Sequence, residues 1–190
     1  MRRGIFGGSF DPVHLGHLIV VAAAADRLLL ESVHFVPARE QPFKAGGHAA
    51  SPEDRVAMLE LALGDERFVL DTRELDREGP SYTVDTLRAL RAEFPADELC
   101  LMIGADAARD LPEWREAGAI PALARIIVLT RPGAEMPGLE KVGELLEVPR
   151  VDVSATEVRA RVGRGEPIDD LVPLAVAEYI ESHRLYSAGD

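Results

Sequence analysis

At 190 residues, with 47% hydrophobic and 28% charged side chains, the chain has the size and composition of a single globular domain spanning 1–190. That is enough to bury a core without disulfides or a structural metal, and it excludes disorder throughout, a collagen repeat and a disulfide scaffold. A formal net charge of −12 argues against wrapping nucleic acid, which needs a surplus of Lys and Arg, so any anionic ligand has to meet a local positive pocket.

The predicted elements alternate along the chain. Gly4 to Phe6 reads as a strand running into glycines, and the Ala/Leu-rich stretch Leu15 to Leu30 as a helix. That stretch is the longest apolar one, but His17, Asp26 and Arg27 interrupt it too early for a membrane span. Val33 to Pro37 is a second strand, and Arg39 to Ser51, with Pro, Gly and Lys, a loop. Ser51-Pro52-Glu53-Asp54 combines an N-cap serine, a first-turn proline and acids, so a helix starts there. Phe68 to Leu70 is a third strand; Thr83 to Phe94 is a helix with Val84, Leu87, Leu90 and Arg91 at helical spacing. Leu99 to Ile103 and Ile126 to Leu129 are the fourth and fifth strands, and Val148 to Val153 is expected to be the sixth. Gly133 to Gly143 is a Pro/Gly-rich loop, and two C-terminal helices begin near Ser154 and Val172 in a helical part spanning about 154–190. The single cysteine, Cys100, sits in an apolar strand and reads as a buried thiol. No secretory h-region follows Met1, which points to the cytoplasm.

Strand and helix alternate with short links, and three strands are continuous apolar runs. Such strands are buried on both faces, which predicts an α/β fold: a single-domain, Rossmann-like open parallel sheet with helices on both faces and a C-terminal helical segment. In such sheets ligands bind at the carboxyl ends of the strands, which selects residues 7–17, 37–44, 104–106, 130–132 and 154–159 before any motif is considered.

The first of these, Gly7-Gly8-Ser9-Phe10-Asp11-Pro12-Val13-His14-Leu15-Gly16-His17, joins the first strand to the first helix. Glycines let a ligand approach backbone amides, and a helix N-terminus offers unpaired N–H groups and a positive dipole end. His14 and His17, three apart, share one face of the first turn, and Gly16 leaves room beside them for a bulky group. Two imidazoles beside amides suit a polyphosphate. The dinucleotide and P-loop glycine patterns are both absent. The spacing also allows a metal, but no third ligand is evident. A second segment, Ser154-Ala155-Thr156-Glu157-Val158-Arg159, begins a helix with a capping box from Ser154 and Glu157, and places the Thr156 hydroxyl and Arg159 on one face of the first turn.

Gly8, Phe10, Asp11, Pro12, His14, Gly16 and His17 match the pattern G-x-F-D-P-x-H-x-G-H, and the chain resembles the nucleotidyltransferase superfamily there. Ser154, Thr156 and Arg159 are similar to its second signature, S-x-T-x-x-R, with Ala155 where many members carry a second serine. Four further segments resemble bacterial nicotinate-nucleotide adenylyltransferases: Pro37 to Lys44, Glu74 to Leu87 with its Ser81-Tyr82-Thr83, Ile103-Gly104-Ala105-Asp106 through Trp114, and Thr130-Arg131-Pro132-Gly133. So does the ending from Tyr179 to Leu185-Tyr186.

The resemblance implies transfer of an adenylyl group from ATP to nicotinate mononucleotide, with Mg²⁺ accompanying ATP and no metal site on the protein. It implies the roles as well. His14, His17 and Arg159 would be catalytic, and Gly7, Gly8, Ser9 and Phe10 would form the ATP-binding turn. Ser154, Thr156 and Arg159, with Arg131, would hold the leaving pyrophosphate. Gly104 and Asp106 would face the adenosine. Ser9 and Lys44 would approach the acceptor phosphate, Tyr82 and Thr83 the nicotinate carboxylate, and Trp114 would stack on the pyridine ring, although a lone Trp also suits a core. Asp11 would order the turn. Arg115 stands where some relatives have an aromatic residue. ATP and nicotinate mononucleotide are the expected partners, with neither nucleic acid nor membrane, and a homo-oligomer is left open. The rivals are a pantetheine-phosphate adenylyltransferase, an amide-preferring enzyme and a non-catalytic nucleotide sensor on the same fold.

Overall fold

The computed structural model describes residues 1–40, 47–133 and 137–187, so Lys44, with the rest of 41–46, lies outside the described residues. Six strands form one parallel sheet in the order β3-β2-β1-β4-β5-β6. They are β1 (Arg2–Gly8), β2 (Ser32–Pro37), β3 (Phe68–Leu70), β4 (Glu98–Gly104), β5 (Arg125–Thr130) and β6 (Glu144–Glu147). The helices are α1 (Leu15–Leu28), α2 (Pro52–Ala62), α3 (Thr83–Glu93), α4 (Ala105–Asp110), α5 (Ile120–Leu123), α6 (Ala155–Gly163) and α7 (Leu174–Ser182). None is long and apolar enough to cross a membrane.

Alternation along the central strands sends side chains into two cores. Phe6 and Phe35 pack on one face with Val21, Ala24 and Ala25 of α1, Met58 and Leu59 of α2, and Val176 and Ile180 of α7. Ile5, Val36, Leu101 and Ile103 pack on the other with Val84, Leu87 and Leu90 of α3 and Ile120 of α5. Phe35 is 0% exposed, and truncating such a side chain costs about 3–5 kcal/mol. Cys100 is buried between these layers, and burial pushes its thiol up to about 11, so it packs rather than reacts.

Local chemistry sets the element ends. The Ser51 hydroxyl accepts the Asp54 N–H at 3.0 Å, with Pro52 as the first helical residue of α2. Helix α1 stops at Leu28, two residues earlier than expected, because Leu29 turns left-handed at φ 53° and the Leu30 N–H folds back onto the Ala25 carbonyl at 2.9 Å.

The sixth strand is a correction: it is Glu144–Glu147, not Val148 to Val153. Val148 donates the last bond of the pairing, to Thr130 O at 2.9 Å, and Pro149 has no N–H to continue it. As an edge strand with Glu144, Leu145 and Glu147 exposed, β6 carries no apolar run that marks it in the sequence.

Strand order reverses between β1 and β4. Their pairing ends at Ile5–Leu101, although β1 runs on to Gly8 and β4 to Gly104. The carboxyl ends therefore part, and a crevice opens where an open α/β sheet places its ligand.

Candidate active site

Two cavities occupy this crevice. The first, about 260 Å³, lies between the parted ends of β1 and β4, with Gly7 and Gly8 on one side and Tyr82, Thr83 and Trp114 on the other. The second, about 800 Å³, is lined by His17, Asp106, Arg131 and Val151 among others. Phe6, Gly104 and Ala107 line both, so the two compartments meet at the switch point of the sheet.

His14 caps α1 in an extended conformation, and its ring stacks on that of His17 with centroids 3.6 Å apart and planes 20° from parallel. Two imidazolium rings at this distance would repel, so at most one carries a charge readily. Burial keeps the His14 ring neutral. His14 is 7% exposed, its Nδ1 has no hydrogen-bond partner, and burial pushes its pKa down to about 4. It is neutral at pH 7. His17 is the half-buried member that reaches the second cavity, with its edge against Phe10. Its Nδ1 accepts the His14 backbone N–H at 3.3 Å, so in the neutral form the ring proton resides on Nε2.

Gly16 serves a nearer neighbour than expected. A Cβ there would lie 2.9 Å from His14 Nδ1 and 3.3 Å from the Val153 carbonyl oxygen, so the missing side chain makes room for protein rather than ligand. Phe10 is 1% exposed and packs against Phe6, Phe35 and His17, and so supports the turn from below.

The second signature docks onto the first. Ser154 caps α6 by accepting the Glu157 N–H at 3.2 Å; the Glu157 carboxylate turns instead to Arg161 at 3.1 Å, so the capping box forms by half. Arg159 crosses to the first loop and donates to the Asp11 carbonyl at 2.7 Å, with Thr156 Oγ1 at 3.5 Å. Arg131 is exposed and lies 3.6 Å from Asp152 at the rim of the second cavity. Asp106 opens α4 with its side chain in solvent and pairs with Arg109 at 2.6 Å. Gly104 is the N-cap of that helix.

On the first cavity, Tyr82 is the N-cap of α3 and supplies no side-chain cap; the Asp85 N–H turns back to the Tyr82 carbonyl at 3.0 Å, which leaves the N–H groups of Thr83 and Val84 for a ligand. The Ser81 N–H bonds Glu40 O and the Arg39 N–H bonds Ser81 Oγ, both at 2.9 Å, which pins this segment to the end of β2. Trp114 is half-buried beside it, and the Arg115 guanidinium lies 4.6 Å over the Tyr82 ring while reaching Asp85 at 3.5 Å.

Three further residues, to which the sequence assigns no role, belong to this arrangement. Glu74 lines the first cavity; burial pushes its carboxyl up, and it accepts the Thr86 hydroxyl at 2.5 Å. Arg55 is 0% exposed and donates to the Ser9 carbonyl at 2.7 Å, and burial, offset by the charge of Asp11, pulls its pKa down. A signal existed for it: Arg55 shares the stripe of Met58, Leu59 and Ala62 at helical spacing, where a charge is out of place. Tyr186 donates to the Asp11 carboxylate at 2.7 Å from the far end of the chain, which no local pattern announces.

Comparison with known proteins agrees with this arrangement. A family model described as cytidylyltransferase-like matches residues 5–161. The chain is 46% identical to the probable nicotinate-nucleotide adenylyltransferase of Roseiflexus sp. (strain RS-1), covering 96% of each chain. It is also 46% identical to that of Thermus thermophilus, covering 98% of this chain and all of the other. In fold it is similar to Plasmodium falciparum nicotinic acid mononucleotide adenylyltransferase complexed with NaAD, with a TM-score of 0.79 at 19% identity over 97% of both chains. A putative nicotinate-nucleotide adenylyltransferase from Vibrio parahaemolyticus gives 0.73 at 16% identity, covering 100% of this chain and 98% of that one. With its matched core, its two signatures at the switch point and near-complete coverage by these relatives, the chain belongs to the cytidylyltransferase-like family and, within it, to the nicotinate-nucleotide adenylyltransferases.

Proposed function

We propose that the protein transfers the adenylyl group of ATP to nicotinate mononucleotide and releases pyrophosphate, a step of NAD biosynthesis carried out in the cytoplasm. The observation that carries this reading is the pair of cavities that meet at Phe6, Gly104 and Ala107, with His17 on the wall of one and Tyr82, Thr83 and Trp114 on the other. Two ligands seated there would face each other across the switch point.

The chemistry suits this donor set. A phosphate monoester with a second pKa of about 6 is largely dianionic at pH 7, so its oxygen attacks the α-phosphorus without a general base. The bond to the β-phosphate breaks, and pyrophosphate leaves with the electron pair. The protein has to hold two polyanions in line and offset their repulsion. We assign His17 to the α-phosphate through Nε2–H, with His14 stacked behind it as a neutral support. Ser154, Thr156 and Arg159 hold the leaving pyrophosphate, and Arg131 reaches it from the rim. The backbone of Gly7, Gly8 and Ser9 approaches the phosphates, and Gly104 and Asp106 the adenosine. Ser9 and Lys44 meet the acceptor phosphate. The uncapped first turn at Tyr82 and Thr83 takes the nicotinate carboxylate, and Trp114 takes the pyridine face.

Family members of this kind generally use a divalent metal with ATP, and we propose Mg²⁺. The groups this reading sets against the phosphates are imidazoles, guanidinium groups, hydroxyls and amides, and among the described residues the carboxylates Glu74, Asp106 and Asp110 that line the crevice form no cluster that could hold a metal ion. Triphosphate oxygens would therefore hold the metal, which would add positive charge at the phosphorus.

The test is pyrophosphate release by the purified protein with ATP and Mg²⁺, run in parallel with nicotinate mononucleotide, nicotinamide mononucleotide and phosphopantetheine. Strong preference for the nicotinate acceptor is expected. Release with phosphopantetheine alone would place the error in the acceptor cavity, and no release with any acceptor would favour a binding role.

A further inference from the structure

The Asp11 carboxylate is a junction of three segments distant in sequence. It is 6% exposed, and Oδ2 accepts the Ala49 N–H at 2.7 Å while Oδ1 accepts the Ala50 N–H at 3.1 Å and the Tyr186 hydroxyl at 2.7 Å. Its main-chain carbonyl takes Arg159, and the carbonyl of Ser9, two residues before it, takes the buried Arg55. Both phosphate signatures, the end of the loop that carries Lys44, and the C-terminal tail therefore converge on one residue.

The tail is bent to reach it. After α7 the chain enters the left-handed region twice, at Arg184 (φ 54°) and Tyr186 (φ 61°), with Leu185 N–H bonded to Ile180 O at 3.0 Å between them. L side chains avoid this region, and neither position is glycine, so contacts elsewhere must hold the tail in place. Those contacts are the packing of Leu185 and Tyr186 on the core and the half-buried hydroxyl on Asp11. Tyr186 lines neither cavity, so it acts on the reaction only through what it holds.

We propose that Tyr186 is a positioning residue that latches the C-terminal tail onto Asp11 and so fixes residues 9–17 in the geometry that adenylyl transfer requires. The proposal rests on the adenylyl-transfer reading above. A hydrogen bond from a half-buried hydroxyl to a carboxylate belongs to the stronger class, and its loss frees one of the three segments that Asp11 joins.

The test compares Tyr186→Phe, Asp11→Asn and the double variant. Tyr186→Phe keeps the ring and its packing, so the fold survives. Its kcat for pyrophosphate release is expected to fall about tenfold with KM for both substrates nearly unchanged, because a misplaced loop weakens contacts made in the transition state. The double variant is expected to match Asp11→Asn alone, because Tyr186 acts through Asp11. Amide hydrogen exchange of peptides covering 9–17 and 47–50 is expected to rise in Tyr186→Phe, with β4 unaffected. Wild-type kcat in Tyr186→Phe, or losses that add in the double variant, would overturn the proposal. Should the wild type release no pyrophosphate, the adenylyl-transfer reading fails, and exchange decides the latch by itself: faster exchange supports it, unchanged exchange overturns it.

Discussion

Gly16 tests how closely the stacked histidines are held. In Gly16→Ala the new methyl would lie 2.9 Å from His14 Nδ1, 3.0 Å from His14 Cε1 and 3.3 Å from the Val153 carbonyl oxygen. A Cβ atom essentially never lies within 3.0 Å of a non-bonded atom, so the imidazole has to give by a few tenths of an ångström. The backbone raises no objection, because Gly16 is an ordinary helical residue in the first turn of α1. Replacing a helical glycine by alanine contributes about 0.5–1 kcal/mol of stability, and forcing one methyl into a packed site costs about 1–3 kcal/mol. The net change is a loss of about 0–2.5 kcal/mol, which the fold tolerates. Catalysis should be less tolerant. A displaced His14 drags the stacked His17, and misplacement approaching 1 Å costs about a hundredfold, so kcat should fall between about tenfold and a hundredfold. Pyrophosphate release measured beside thermal unfolding separates the two effects. Full activity with an unchanged melting temperature would refute the reasoning, because it would mean that the gap at Gly16 does not set the ring's position.

Three further outcomes follow from the same geometry. His17→Ala should lower kcat by about 10²–10³, the loss typical of removing one donor to a charged transition state, with the unfolding midpoint nearly unchanged; full turnover would remove His17 from the mechanism. His14 gives a pH signature: its pKa is about 4 in the fold against 6.5 when exposed, so its contribution to stability is complete above pH 6.5 and falls as the pH drops toward 4. Urea unfolding at intervals from pH 7.5 to pH 4 should show the wild type losing about 3 kcal/mol more than His14→Gln across that window, and parallel curves would contradict the burial of a neutral ring. Arg55→Met should cost about 3–5 kcal/mol in denaturant unfolding, because it leaves the Asp11 carboxylate without its buried cation and the Ser9 carbonyl without its donor; a neutral effect would show that the pair is dispensable.

Where an element is buried on both faces, composition announces it. β2 and the middle of β4 and β5 are wholly buried and were legible as apolar runs, and α2 was legible from its Ser-Pro-acid start. Edge strand β6 was misplaced because three of its four residues face water, and α4 and α5, of six and four residues, are too short for a helical period to register. The misplaced segment still belongs to the site, since Val148, Pro149 and Val151 line the second cavity. The site divides in the same way. Groups that sit on local motifs, from His17 to Thr83, could be found by spacing. Arg55 left one trace, a charge on the apolar stripe of α2, whereas Glu74 and Tyr186 left none, since each owes its place to a partner far along the chain or to burial that only the tertiary structure creates.

The charge problem posed by composition is solved locally. In a chain of net charge −12, surface arginines are answered by carboxylates: Arg67 by Asp26 and Asp65, Arg88 by Glu116, and Arg125 by Glu98 and Glu144. Arg159 is held differently. Its hydrogen bonds go to a carbonyl and a hydroxyl, neither of which cancels its charge, and it is half-buried, where Coulomb attraction is stronger than in bulk water. The His pair adds ring N–H donors at little desolvation cost because one member stays neutral, and the first turns of α1, α3 and α6 add amides that carry no charge at all. An acidic protein can thus hold two polyanions without a basic surface, provided its donors are fixed before the ligands arrive. That condition explains why so many buried bonds, from Arg55 to Tyr186, converge on the one loop that precedes the histidines.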